Sequence, residues 1–169
     1  MKRILSILLL VLPSILMAQS NSTLATHGVE IKAILLQDTV GLVRGVGIGS
    51  SISEIRAREK GEVQGEGKDF LIYKVLINEN ESAEIIYTFD EQMKVKLITI
   101  AFLENINTSL EEQVLDDFQR YFTERFGKHR TNEKNEEVWT TAEGIVFEMG
   151  DSSSGSGDIL EIEIDIYKK

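Results

Sequence analysis

The last part of the chain alternates between apolar and acidic residues. In residues 160–167, LEIEIDIY, a leucine or isoleucine occupies every second position, and Glu161, Glu163 and Asp165 lie between them. Because successive side chains of a β-strand point to opposite faces of the sheet, this pattern predicts a strand with one buried and one solvated face. One-sided strands of this kind are typical of antiparallel sheets.

Six other segments combine β-branched, aliphatic and aromatic residues in the way that strands do. In chain order they are residues 29–36, 69–77, 84–90, 95–102, 136–141 and 144–149. Short turns connect the segments between residues 69 and 102, so we expect three of the strands to form an antiparallel meander.

A helical period governs residues 109–127, SLEEQVLDDFQRYFTERFG. Ser109 and Glu112 have the spacing of a capping box, and Gly127 supplies a left-handed stop. The apolar residues recur at helical spacing and define one face that must be buried against the sheet, namely Leu110, Val114, Leu115, Phe118, Tyr121, Phe122 and Phe126.

A shorter helix is predicted to begin after Ser51, with Glu54 as the second residue of a capping box, and to end at Gly61. Each predicted helix precedes three predicted strands, which indicates pseudo-repeats at about 50–103 and 109–167. Common α+β patterning without a repeat is the alternative. The tandem repeat predicts an α+β fold, in which an antiparallel sheet of six to seven strands carries two helices on one face.

The glycine-rich segment before the shorter helix, residues 41–51, does not match a phosphate-binding loop. A G-x-G-x-x-G motif would need glycine at Ser50, and a Walker loop needs lysine before serine or threonine. A bent strand or loop that leads into the helix is the better interpretation.

The N-terminal residues have the pattern of a secretory signal peptide. Lys2 and Arg3 precede a short apolar run, which Pro13 interrupts before the roughly 18 residues that a membrane span requires. We expect cleavage after Ala18, or alternatively after Ser20. An uncleaved membrane anchor is the other interpretation.

These signals divide the chain into a signal peptide, residues 1–18, a flexible lead-in, residues 19–28, and one α+β domain, residues 29–169. The formal net charge of −10 disfavours nucleic acid and anionic membrane surfaces as partners. The chain has no cysteine, which excludes disulfides, cysteine-containing zinc sites and an acylated lipoprotein anchor. We expect no transmembrane segment in the mature chain and export to a periplasm or to the exterior.

No motif selects a catalytic or metal-binding residue. His27 lies in the predicted lead-in, and His129 follows the long helix, where its expected role is a positive charge at the helix end. Residues 151–158, DSSSGSGD, lack the spacing and final glutamate of an EF-hand, and no G-x-S-x-G motif occurs. Glycoside hydrolysis by two carboxylates that only the fold brings together is an alternative that the sequence leaves open. We predict no catalytic residue, no metal site and no cofactor.

Alternation also assigns each strand residue to one of the two faces of the sheet. The residues expected to face the helices are Tyr73, Tyr87, Phe89, Ile98 and Ile100. The opposite, outer face of the first half then carries the predicted binding patch, Ile72, Ile86, Thr88, Leu97 and Thr99. Exposed apolar patches often mark interaction sites. The alternative is that residues 29–36 or the glycine-rich segment fold over this patch.

The pattern G-x-x-S-S-x-x-E-I at residues 47–55, followed by strands with paired Tyr and Phe, resembles the SmpA/OmlA (BamE-like) envelope modules. In doubled form it resembles the tandem arrangement of β-lactamase inhibitory proteins. The chain departs from the former family because it has no lipobox cysteine and no glycine-proline step after the first helix. The resemblance implies a non-catalytic module that binds another protein.

The prediction for function is therefore an exported, soluble, non-catalytic binding module of the bacterial envelope or exterior. Its partner would be another protein or a small apolar ligand. A small extracytoplasmic hydrolase or carbohydrate-binding protein is one alternative, which requires a cleft with convergent titratable groups. A secreted inhibitor or immunity factor, whose acidic surface meets a basic target, is the other.

Overall fold

The computed structural model describes residues 24–36, 40–79, 81–102, 108–151 and 162–169. The predicted signal peptide, residues 19–23 of the predicted lead-in and residues 152–161 lie outside these ranges, and the last of these segments includes the first two residues of the predicted strand 160–167. The helices are a 3₁₀ turn at Leu24–Thr26, α1 at Val29–Leu35, α2 at Ile52–Arg58 and α3 at Thr108–Phe126. The strands are β1 Glu62–Glu66, β2 Phe70–Leu76, β3 Ser82–Phe89, β4 Val95–Phe102, β5 Arg130–Thr131, β6 Glu137–Thr140, β7 Ile145–Asp151 and β8 Ile162–Lys168.

All eight strands of the described chain form one antiparallel sheet in the order β1-β2-β3-β4-β8-β7-β6-β5. The α+β class and the antiparallel sheet are confirmed, whereas the predicted six to seven strands and two helices are too few. The two additional strands lie at the two edges of the sheet. Their side chains are mostly exposed, so β1 and β5 lack the apolar alternation that marks the other strands.

The prediction of a strand at residues 29–36 is wrong, because the segment forms helix α1. Ile31, Ile34 and Leu35 lie on one side of this helix and are buried, while Val29 is 70% exposed. A short, continuous apolar run fits a buried strand and a buried helix equally well, and here tertiary packing selects the helix.

One continuous apolar core lies between the sheet and the helices. The five side chains predicted to face the helices are all buried in it. The apolar face of α3 is buried against the sheet as predicted, and the Phe122 ring centroid lies 5.3 Å from that of Trp139 and 5.0 Å from that of Phe147 in the second half. Phe118 packs against Phe102 of β4, with ring centroids 6.1 Å apart, so α3 also reaches the first half.

The predicted helix boundaries hold in part. Ser51 and Glu54 form the capping box of α2, but this helix ends at Arg58 rather than at Gly61. Gly127 follows the last residue of α3 in a left-handed conformation, with φ +88°, and its amide donates to the Thr123 carbonyl. The side chains of residues 108–112 lie outside the described part, so the cap by Ser109 stays a prediction.

The glycine-rich segment is a compact turn that leads into α2, as expected. Val43 and Val46 pair with each other and are completely buried in the core. At Gly41, φ is +71°, and a Cβ atom there would lie 2.5 Å from the backbone carbon of Gly45. Only glycine fits this close approach of two backbone segments.

Both halves of the chain follow the same order of elements. Helix α2 precedes β1 to β4, helix α3 precedes β5 to β8, and the strand order mirrors about the central pair of β4 and β8. The predicted repeat had one helix and three strands, whereas each half of the structure has four strands after its helix. That the two halves are a tandem repeat stays a prediction.

Candidate functional site

The five residues of the predicted binding patch lie together on the outer face of the sheet. Across β2, β3 and β4, Ile72 pairs with Ile86 and Ile86 with Thr99. In the adjacent row, Thr88 pairs with Leu97. Directly opposed residues of antiparallel strands have contacting side chains, so the five residues form one continuous surface, which we call the outer patch.

The outer patch is partly exposed, with the exception of Thr99, which is 5% exposed. Helix α1 and the glycine-rich segment both pack into the core on the opposite face of the sheet. The alternative that either of them folds over the patch is therefore wrong. Phe70, 36% exposed, extends the patch because it pairs with Thr88. Alternation with Ile72 could have identified it from the sequence.

The same rows of the sheet continue into an acidic surface in the second half. Thr99 pairs with Asp165 and Asp165 with Glu148, while Leu97 pairs with Tyr167. The Thr99 hydroxyl donates to Asp165 Oδ1 at 2.5 Å, which joins the two surfaces. Burial raises the pKa of Asp165, against the hydrogen bond from Thr99, and the neighbouring charge of Glu148 raises this pKa further. We call Glu148, Glu163 and Asp165 the acidic strip.

A second arrangement, which sequence reasoning missed, is an ion pair inside the core. Arg44 Nε donates to Glu59 Oε2 at 2.7 Å, and the two side chains are 5% and 0% exposed. Arg44 Nη1 donates to the carbonyls of Ala33 and Ile34, at 2.8 and 3.2 Å. The Tyr87 hydroxyl donates to Glu59 Oε1, and burial together with the Glu59 charge raises the pKa of Tyr87 well above its usual value.

This ion pair connects four parts of the fold. Arg44 belongs to the glycine-rich segment, its carbonyl acceptors to α1, Glu59 to the C-cap of α2 and Tyr87 to β3. Arg44 itself has a φ of 52°, which is unusual for a residue with a side chain. No local motif signals the pair, because its members are 15 residues apart and meet only through tertiary packing.

His27 is a third buried group that the sequence did not reveal. Its Nδ1 lies 2.9 Å from Asp117 Oδ1 and its Nε2 lies 3.3 Å from Glu124 Oε2, while its ring packs edge-on against Tyr121. The Gly28 amide also donates to Asp117 Oδ2, at 2.7 Å. For residues 24–28, the expectation of a flexible lead-in is wrong, because His27 and Leu24 are buried.

Replacing Asp117 by asparagine should reduce stability by about 1–2 kcal/mol at pH 7, because one oxygen that accepts from His27 or Gly28 becomes an NH₂ group. Burial alone would raise the pKa of Asp117, but the hydrogen bonds from Gly28 and His27 outweigh it and lower this pKa below 3.8. A lowered folded-state pKa contributes stability above the unfolded-state pKa, and that contribution is lost as pH falls through the folded-state value. The difference between parent and Asp117→Asn should therefore shrink between pH 5 and pH 3 in urea titrations.

The matched control for this prediction is Asp116→Asn, since Asp116 is the exposed neighbour on the same helix. Its unfolding free energy should equal that of the parent at pH 5. An Asp117→Asn deficit that stayed constant from pH 5 to pH 3 would contradict the assignment of the carboxylate.

His129 lies beyond the end of α3 and contacts β6. Its Nε2 lies 3.8 Å from Glu137 Oε1, and its ring centroid lies 5.3 Å from that of Trp139. Gln119 donates to the same Glu137 oxygen at 2.5 Å. Within the described part of the chain, His129 Nδ1 and Glu137 Oε2 are buried without a hydrogen-bond partner. These residues belong to the packing of α3 on β6.

Among the described residues, no group of three or more His, Cys, Asp or Glu side chains is arranged to hold a metal ion. None of the helices seen there is both long and apolar enough to cross a membrane. Comparison of the chain with protein-family models, curated proteins and solved structures finds no match. The resemblance to the SmpA/OmlA modules therefore stays a prediction.

Proposed function

We propose that the protein is an exported, non-catalytic binding module of the bacterial envelope or exterior, and that its outer sheet face binds another protein. The observation that carries this proposal is the junction of the outer patch with the acidic strip on one continuous face. The partner surface that fits it has an apolar strip beside basic residues.

The outer patch supplies the apolar part of such an interface. Ile72, Ile86 and Leu97 lie on three adjacent strands, and the hydroxyl group of Thr88 lies among them. Thr99 is buried and donates to Asp165, so it joins the outer patch to the acidic strip rather than offering a free hydroxyl group. Rigid strands hold these side chains in place before binding, which reduces the entropy lost on association. Apolar side chains with a few polar groups are typical of the central part of protein interfaces.

The acidic strip determines how the partner is oriented and which charge the partner must carry. Glu148 and Asp165 are paired neighbours on the same face, within a chain of net charge −10. Charge complementarity increases the rate of association and rejects partners of like charge. The alternative function, a secreted inhibitor or immunity factor, also requires a basic target. It is therefore one form of this proposal.

Ile86→Lys should weaken partner binding strongly, because a lysine in the centre of the patch places a charge in a desolvated interface. We expect capture of the partner from the producing cell's envelope fraction, after crosslinking to the tagged protein, to fall about tenfold or more. Capture by the parent should also weaken at high salt, since the acidic strip contributes.

The matched control is Val29→Lys on α1, because Val29 is an exposed apolar residue on the opposite side of the molecule. This variant should capture the partner as the parent does. Equal capture by Ile86→Lys and Val29→Lys would contradict the proposal. Turnover of an ester or glycoside by the parent, without any captured protein, would favour the hydrolase alternative.

A further inference from the structure

Tyr167 lies where the outer patch meets the acidic strip. It pairs with Leu97 of β4 on one side and with Val146 of β7 on the other. Asp165, two residues before it on β8, shares its face of the sheet. Tyr167 is partly exposed and belongs to neither surface as defined above. It therefore connects the apolar part of the outer face to the charged part.

The surroundings of Tyr167 fix its side chain before any partner binds. Val146, directly opposite, is completely buried and gives the ring a rigid neighbour on β7. The Tyr167 hydroxyl donates a hydrogen bond to Glu148, which is two residues further along β7. Burial and this hydrogen bond raise the pKa of Tyr167, so its hydroxyl stays protonated at neutral pH. A ring that is already held in place loses little conformational entropy on binding.

In the part of the chain that the structure describes, the two carboxylates at this junction form no ion pair. Glu148 and Asp165 are directly opposed on β7 and β8, and like charges in this position destabilise a sheet. Lys134 pairs instead with Glu136, at 3.8 Å, whereas Arg130 lies on β5, two strands away from β7. A cation supplied by the partner would therefore offset the repulsion between the two carboxylates.

An arginine side chain fits this combination of groups better than a lysine side chain does. The guanidinium group is planar, donates to carboxylates through a fork of N–H groups and stacks on aromatic rings. An ammonium group is a compact point charge without this fork. We propose that Tyr167 is the central anchor of the interface and receives an arginine side chain of the partner, whose guanidinium binds Glu148 and Asp165; this role rests on the proposed function. The arginine stem then lies beside Leu97, and the apolar residues of the partner cover the outer patch.

Two peptides of equal charge and similar apolar content test this assignment, namely acetylated and amidated Leu-Arg-Leu-Arg-Leu and Leu-Lys-Leu-Lys-Leu. Each peptide is titrated into the full chain while amide NMR shifts are followed. We expect saturable shifts centred on Leu97, Asp165 and Tyr167. The affinity should be at least about fivefold higher for the arginine peptide, because stacking on the ring adds to the attraction between charges.

The informative variant is Tyr167→Leu, which removes the ring and keeps an apolar side chain. The two peptides should then bind within about twofold of each other, because the attraction between charges remains while the stacking is lost. Tyr167→Phe keeps the ring and should retain the preference for arginine. The matched control is Phe70→Leu, since Phe70 is an exposed ring on the same face that lies away from the acidic strip. This variant should also leave the preference unchanged.

Equal affinities of the two peptides for the parent would overturn the assignment, as would shifts centred on another surface or the absence of saturation. A preference for arginine that survives in Tyr167→Leu, or that is lost in Tyr167→Phe or Phe70→Leu, would also overturn it. In each of these cases, partner capture that depends on Ile86 would leave the proposed function intact. Failure of the arginine site and failure of the proposed function are therefore separate results.

Discussion

Replacing Glu59 by glutamine should lower the free energy of unfolding by about 3–5 kcal/mol, because Arg44 would keep its charge inside the core without a counter-charge. Glutamine preserves the shape of the side chain, so the effect reports the charge rather than a cavity. The Arg44 side chain is only 5% exposed, so it has already lost most of its contact with water in the folded protein. Urea denaturation followed by circular dichroism measures the change.

Tyr87→Phe tests the contribution of the hydroxyl group to stability apart from that of the ion pair. It removes the donor to Glu59 Oε1 but leaves Arg44 paired, so the loss should be smaller, about 1–3 kcal/mol. The double substitution Arg44→Met with Glu59→Leu removes both charges together. It should be more stable than Glu59→Gln alone, because no uncompensated charge remains.

The matched control is the exposed pair of Arg56 and Glu66, whose nitrogen–oxygen distance of 2.6 Å is close to the 2.7 Å of the buried pair. Arg56 is 46% and Glu66 52% exposed, so water solvates either charge when its partner is removed. Glu66→Gln should therefore have far less effect than Glu59→Gln. Similar losses of unfolding free energy in Glu66→Gln and Glu59→Gln would contradict burial as the cause of the large effect at Glu59.

Much of the sheet could be predicted because its signals are local. The alternation in residues 160–167 and the apolar content of β2, β3 and β4 depend only on which face each residue occupies. The outer patch follows from the same rule, because assignment of Tyr73 and Tyr87 to the core places Ile72 and Ile86 on the other face. Local patterns of this kind can be read from a single sequence.

The rest could not be predicted because it is decided by distant contacts. Helix α1 has too few residues for a distinct period, and β1 is an exposed edge strand with a bulge between Val63 and Gly65. His27 meets Asp117 across 90 residues of chain. Polar residues in polar segments carry no sign that they are buried, and buried polar pairs are selected by the assembled core.

Phe122→Ala should lower the free energy of unfolding by about 3–5 kcal/mol, because a large side chain is removed from a site that cannot collapse. Phe122 is 1% exposed, and its ring lies near those of Trp139, Phe147 and Phe126, which belong to three different elements. Rigid strands and a long helix hold the cavity walls apart. The control is Phe70→Ala on the outer face, where the ring is already 36% exposed and the loss should be below about 1.5 kcal/mol.

The same variant tests whether the two halves unfold together. Trp139 is the only tryptophan of the chain and lies in the second half, so its fluorescence reports locally, whereas circular dichroism reports on all helices and strands. Because α3 also packs on Phe102 and the core is continuous across both halves, we expect the two signals to shift by the same amount in Phe122→Ala. If fluorescence shifted to lower urea while circular dichroism retained a second transition, each half would have a core of its own. The central pair of β4 and β8 would then be a boundary between two folding units.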